Sequence, residues 1–113
     1  MARFHSLLVY TLARDVLRDI VPITERMRGF GDLAHQMRRA AISVVSNICE
    51  GACSGSDRQF ARYLAIARAS TNELQGQLVI VTDLGELADD HPVHDRCDHL
   101  GRALTKLLRS LTG

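Results

Sequence analysis

A cysteine between two glycines is the first candidate for chemistry in this sequence of 113 residues. Cys53 lies in the segment GACSG, from Gly51 to Gly55, which has the outward form of a nucleophile elbow with a thiol as the nucleophile. That motif requires a strained turn from a strand into a helix, and the pattern before Gly51 is helical. We therefore interpret the segment as a glycine-rich link between two helices. A small enzyme or regulator that uses the Cys53 thiol is the alternative.

Metal binding is the second candidate chemistry. Neither the histidine-rich segment near residue 95 nor Cys49 with Cys53 has the paired spacing of zinc ligands, so we expect no metal. A metal-dependent enzyme or regulator that uses this segment is the alternative. Three cysteines are an odd number and do not make a disulfide framework, so all three are predicted to be reduced core residues. The potential ligands in the segment are His91, His94, Cys97 and His99.

The remaining motifs do not indicate catalysis. The loop after Gly51 lacks the Gly-Lys-Ser/Thr ending of a phosphate-binding P-loop, so nucleotide binding of that kind is not predicted. We expect no enzymatic activity, no cofactor and no small-molecule substrate. The sequence is therefore more informative about surfaces than about a reaction.

The composition and the positions of glycine and proline indicate a helical protein. Apolar residues make up 46% and charged residues 24% of the chain, while aromatic residues are only 4%, which suits packed helices better than a sandwich of strands. Glycine and proline divide the sequence into four amphipathic stretches with short connections. We predict an all-α, antiparallel, up-and-down four-helix bundle, with residues 1–113 as one domain and a kink or an early helix end at Pro22.

The second predicted helix has an apolar surface wider than a bundle core requires. Its main apolar stripe contains Leu33, Met37, Ala40, Ala41, Val44 and Ile48. Ile42, Val45 and Cys49 extend that surface, so about half of the helix circumference is apolar. We therefore expect another copy of the chain to cover part of it.

Polar side chains form a ladder on the rest of the second helix, and the third helix carries a polar seam of Ser70, Glu73 and Gln77. We expect the ladder and the seam to pair. One interpretation is a buried network that fixes helix register, because buried charge requires partners. The other is a cationic surface that contacts phosphates. The predicted buried polar network is Gln36, Arg39, Ser43, Asn47, Glu50 and Glu73. The candidates for nucleic-acid contact are Arg38, Arg58, Arg62 and Arg68.

Charge is unevenly distributed along the chain. The net charge is only +1, but residues 1–70 carry ten basic and six acidic groups, whereas residues 71–113 carry four basic and seven acidic groups. One basic face is compatible with phosphate binding, although the overall charge is below that of dedicated nucleic-acid binders. No apolar run reaches the length of a membrane span, and the N-terminus has no secretory pattern. We expect a cytoplasmic protein without membrane contact.

Four segments of the sequence resemble the bacterial "four helix bundle protein" family. They are GFGDL from Gly29, QMRRAA from Gln36, SVVSNICEG from Ser43 and AIARAS from Ala65. The combination of Gln-x-x-Arg-Ala with Asn-x-x-Glu-Gly is fairly specific, and the resemblance is strongest over residues 29–85. This family includes proteins encoded in intervening sequences of the large-subunit ribosomal RNA gene, and it is related to accessory proteins of diversity-generating retroelements.

The resemblance implies an up-and-down bundle that assembles into a ring, commonly a homopentamer, with no known enzymatic activity. In the retroelement relatives the ring is basic and binds the reverse transcriptase together with nucleic acid. The resemblance therefore implies that this chain is an interaction platform for RNA or DNA, a ribonucleoprotein or a reverse transcriptase. It also gives the arginines of the second and third helices a role in nucleic-acid contact.

Overall fold

The computed structural model describes residues 2–113, with side chains from residue 6 onward. Its helices are α1 (Ala2–Glu25), α2 (Gly31–Ala52), α3 (Asp57–Asp83) and α4 (Pro92–Thr112). The connections comprise residues 26–30, 53–56 and 84–91, and no strand occurs among residues 2–113. Connections this short return each helix beside the preceding one, so successive helices are antiparallel. The predicted all-α four-helix bundle is confirmed.

Local chemistry defines the helix ends. Ser56 caps α3, because its Oγ accepts a hydrogen bond from the Gln59 amide at 3.2 Å. Gly85 follows α3 with a φ of +79°, a left-handed conformation that glycine adopts without a side-chain clash. Pro22 does not end α1, which continues to Glu25, so the predicted early helix end is wrong.

The core lies on the axis of the bundle, and each helix contacts two neighbours around it. Both α1 and α3 contact α2 and α4, whereas the diagonal pairs do not meet. Since every helix has two neighbours, one apolar stripe on each is sufficient to close the core. The largest fully buried side chains include Leu64, Leu74, Leu78, Leu100, Leu104 and Leu107.

The helices α2 and α3 pack tightly against each other at Gly51. A Cβ atom at this position would lie 2.7 Å from Cδ1 of Phe60 and 3.0 Å from Cβ of Tyr63. Both distances are shorter than an ordinary van der Waals contact. The absence of a side chain at Gly51 therefore sets how closely the end of α2 packs on the beginning of α3.

Candidate functional site

A polar groove runs between α2 and α3, with two serines joining the helices at its floor. The Oγ atoms of Ser43 and Ser70 are 2.9 Å apart and share a hydrogen bond. Asn47 Nδ2 donates to the Ser43 carbonyl oxygen at 2.8 Å and to Ser43 Oγ at 3.1 Å, one turn away on the same helix. The groove has a volume of about 310 Å³. Its lining residues are Gln36, Arg39, Ala40, Ser43, Ser70 and Glu73.

Most of the predicted buried network lies at the surface of the single chain. Gln36, Arg39, Glu50 and Glu73 are exposed, whereas Ser43 and Asn47 are half-buried. Within the described residues, no ion pair joins Arg39 to either carboxylate. The short serine side chains meet at the contact between the two helices, and the longer charged side chains extend past it into water, where their charges remain solvated. The predicted interior position is therefore corrected to an exposed one for these four residues. Gln36, Arg39 and Glu73 line the groove, whereas Glu50 does not.

Gln77 is the buried polar side chain next to this groove. It is 6% exposed, and its Nε2 donates to Glu73 Oε2 at 3.2 Å. Its Oε1 atom is buried without a hydrogen-bond partner among the described residues. The four-residue spacing of Glu73 and Gln77 predicts that their side chains are neighbours on α3. Periodicity alone did not indicate that Gln77 is buried while Glu73 is exposed.

A second groove runs between α3 and α4, and two of the four arginines predicted to contact nucleic acid, Arg58 and Arg62, line it. One part has a volume of about 700 Å³ and is bounded by Arg58, Arg62, Leu108 and Thr112. The adjoining part, about 590 Å³, lies further along the same two helices. Arg68 lies on α3 between the two parts and is half-buried. The lining of the adjoining part is Asn72, Gln75, Asp98, Gly101, Arg102, Thr105 and Arg109.

Arg102 and Arg109 were not among the arginines predicted from the sequence. They are seven residues apart and therefore lie on the same face of α4, with Lys106 between them in the sequence. The seven-residue spacing could have predicted a basic face on α4 from the sequence. It did not show which helix this face would adjoin, so it did not connect these side chains to the arginines of α3.

Arg38 lies apart from the other predicted arginines. It is half-buried at the junction of α1 and α2, where its Nη1 donates to Thr24 Oγ1 at 3.4 Å. Because α1 contacts α2 and α4 but not α3, this junction is on another side of the bundle from the α3/α4 groove. The structure therefore brings together Arg58, Arg62 and Arg68, but not Arg38.

The three cysteines have different environments. Cys97 is buried in the core, whereas Cys49 and Cys53 are exposed. The predicted burial of Cys49 and Cys53 is therefore wrong, because both lie on the outer side of α2 and its C-terminal end rather than on its core stripe. Burial, with a smaller contribution from the charge of Asp98, raises the pKa of the Cys97 thiol to about 12.

We predict that Cys97 makes stability fall at high pH. The folded chain holds the Cys97 proton more tightly than the unfolded chain, so its contribution is complete below about pH 9 and is lost as pH rises towards about 12. Chemical unfolding of the native chain and of Cys97→Ala at several pH values measures this contribution. The difference in unfolding free energy between the two proteins should shrink across that interval. A difference independent of pH would contradict the prediction.

The histidines near the start of α4 make structural hydrogen bonds. His91 Nδ1 accepts from the Val93 amide at 3.0 Å and caps the helix, and His94 Nε2 lies 3.0 Å from the Ala88 carbonyl oxygen. Across the residues whose side chains are described, no three His, Cys, Asp or Glu side chains are placed to hold one metal ion. None of the described helices combines the length and apolar character needed to cross a bilayer.

Comparison with known proteins gives a family and a fold. The family model described as "23S rRNA-intervening sequence protein" matches residues 5–106. A crystal structure from Bacteroides thetaiotaomicron VPI-5482, of a protein with unknown function from the S23 ribosomal protein family, is similar with a TM-score of 0.84. The match has 16% sequence identity and covers 93% of this chain and 98% of that one, so it supports the fold alone. No curated protein matches the chain.

Proposed function

The chain belongs to the 23S rRNA-intervening sequence protein family, and from this we propose that it is a non-enzymatic, ring-forming four-helix bundle that serves as an interaction platform. Its partner is RNA, either free or carried by a ribonucleoprotein or a reverse transcriptase, and its site of action is the cytoplasm. The ring is a homopentamer. The observation that carries this proposal is an apolar patch on the outer surface of α1 and α2.

The α1/α2 apolar patch consists of Leu17, Val21, Ile42 and Val45. Ile42 is 51% exposed and Val21 is 37% exposed, while Leu17 and Val45 are half-buried. A contiguous exposed apolar patch indicates an interaction site, whereas single exposed apolar side chains do not. These four residues therefore form an interaction site only if they are neighbours on the surface.

The hydrogen bond from Arg38 to Thr24 indicates which residues of α1 and α2 lie level with each other. Since α1 and α2 are antiparallel, a step back along α1 from Thr24 corresponds to a step forward along α2 from Arg38. Val21 is therefore level with Ile42, and one further turn brings Leu17 level with Val45. A second copy that covers this patch removes its apolar surface from water, which favours association.

We predict that Ile42→Arg disrupts the assembly. The native chain should scatter light at micromolar concentration as a multiple of 12.5 kDa, with five copies expected, because the patch is covered between copies. Placing a charge in the covered patch is unfavourable, so the variant should dissociate towards a single chain. Val79→Arg is the matched control, since Val79 is an exposed apolar side chain on α3, outside the patch. A native particle of 12.5 kDa would overturn the proposed assembly.

A further inference from the structure

We propose that the α3/α4 groove binds the phosphate backbone of RNA without reading its sequence. Its lining includes Arg58 and Arg62 on α3 and Arg102 and Arg109 on α4. Arg68 lies on α3 between the two parts of the groove. This inference rests on the proposed RNA partner and adds the site, the α4 residues and the mode of recognition.

The fold concentrates positive charge in one half of the α3–α4 hairpin. Residues 57–75 and 98–113, which lie beside each other, carry six basic and three acidic side chains. Residues 76–97, which form the other half, carry one basic and five acidic side chains. A strand of phosphates is therefore attracted to the half that contains the groove and repelled from the other half.

The arginines of the groove are available for a ligand. Among the described residues, none of the five forms an ion pair with a carboxylate. The one carboxylate among the lining residues, that of Asp98, accepts a hydrogen bond from Gln75 Nε2 at 2.9 Å. Guanidinium groups that are not held by protein carboxylates can form forked hydrogen bonds with phosphate oxygens.

The dimensions of the groove fit a backbone rather than a small anion. It extends from Arg58 to Gln75 along α3, a distance of about 26 Å at 1.5 Å per residue. Ala61, Ala65 and Gly101 form part of its lining and leave room for a chain to approach. Several phosphates in succession can therefore contact arginines from both helices.

The lining also indicates which part of RNA is contacted. None of the residues that line the two parts of the groove is aromatic, so the groove offers no aromatic ring on which bases stack. Charge contacts to phosphates hold a nucleic acid in place but carry no sequence information. Affinity should therefore be similar for RNAs of different sequence and should depend strongly on salt.

Fluorescence anisotropy with two labelled hairpin RNAs of equal length and unrelated sequence tests this site. The full chain should bind both equally, with a slope of log affinity against log salt of about −4 for five phosphate contacts. Arg62→Gln combined with Arg102→Gln should weaken binding at least about tenfold and make the slope less steep by about 1.5. The matched control is Arg26→Gln with Arg28→Gln, two exposed arginines in the α1–α2 connection, and it should bind like the native chain.

The possible results separate this inference from the proposed function. If the native chain binds RNA and the Arg62/Arg102 variant binds equally well, the groove is the wrong site and the RNA platform stands. If the native chain binds neither RNA even at low salt, both the groove and the RNA partner are wrong. A preference greater than tenfold for one hairpin would overturn recognition through the backbone. Circular dichroism of each variant establishes that the helices are intact before binding is compared.

Discussion

Replacement of Leu74 by Ala should lower the free energy of unfolding by about 3 kcal/mol. Leu74 is fully buried at the middle of α3, the helix that packs against both α2 and α4. Truncation removes apolar contacts and leaves a cavity that the rigid helices fill only in part. Urea unfolding followed by circular dichroism, at a fixed chain concentration, measures the loss.

Leu84→Ala is the control for this prediction. Leu84 is 43% exposed at the C-terminal end of the same helix, so its truncation should change the unfolding free energy by less than about 0.5 kcal/mol. Equal losses for the two variants would show that Leu74 does not occupy the core position assigned to it.

Replacement of Gly51 by Ala should destabilise the chain, although alanine favours helix formation more than glycine does. The new Cβ would lie 2.7 Å from a Phe60 ring atom and 3.0 Å from the Tyr63 Cβ. The ring of Phe60 can rotate, but the Tyr63 Cβ is fixed to the backbone of α3, so the two helices must separate. Overpacking of this kind costs about 1–3 kcal/mol and exceeds the gain of about 1 kcal/mol in helix propensity. The melting temperature should fall.

Gly76→Ala is the matched substitution with the opposite expected sign. Gly76 is exposed within α3, and no neighbouring atom lies within 4 Å of a Cβ built on it. Only the helix propensity changes, so the variant should gain about 0.5–1 kcal/mol of stability. If Gly51→Ala were as stabilising as Gly76→Ala, the close approach of α2 and α3 would not be present in solution.

The positions of the helices could be predicted from local chemistry. Ser56 supplies a cap at the start of α3, and Gly85 supplies the left-handed residue after it, so both ends of that helix were identified in the sequence. Such signals act over three or four residues and do not require knowledge of the neighbouring helix. For the same reason, the sequence identified Ile42 as part of an apolar surface wider than one core stripe, and Ile42 is exposed in the structure.

Burial at the edges of a stripe could not be predicted in this way. Cys49 and Glu50 are adjacent to core positions, and their exposure depends on the distance and angle at which α1 and α3 pack beside α2. Gln77 and Glu73 have equivalent positions in the polar seam, yet only Gln77 is buried. A periodic pattern specifies the direction in which a side chain leaves its own helix. Whether that side chain is buried depends on how much of the helix surface the neighbouring helix covers.

The sequence alone determined that this chain forms four amphipathic helices, since side-chain periodicity, caps and short connections are local properties. The tertiary structure decided which charges meet. Residues 71–113 are acidic as a segment, but folding places residues 98–113 beside residues 57–75 and separates them from the acidic connection near Asp89. Because electrostatic interaction depends on distance in space rather than along the chain, the α3/α4 groove emerged only from the fold.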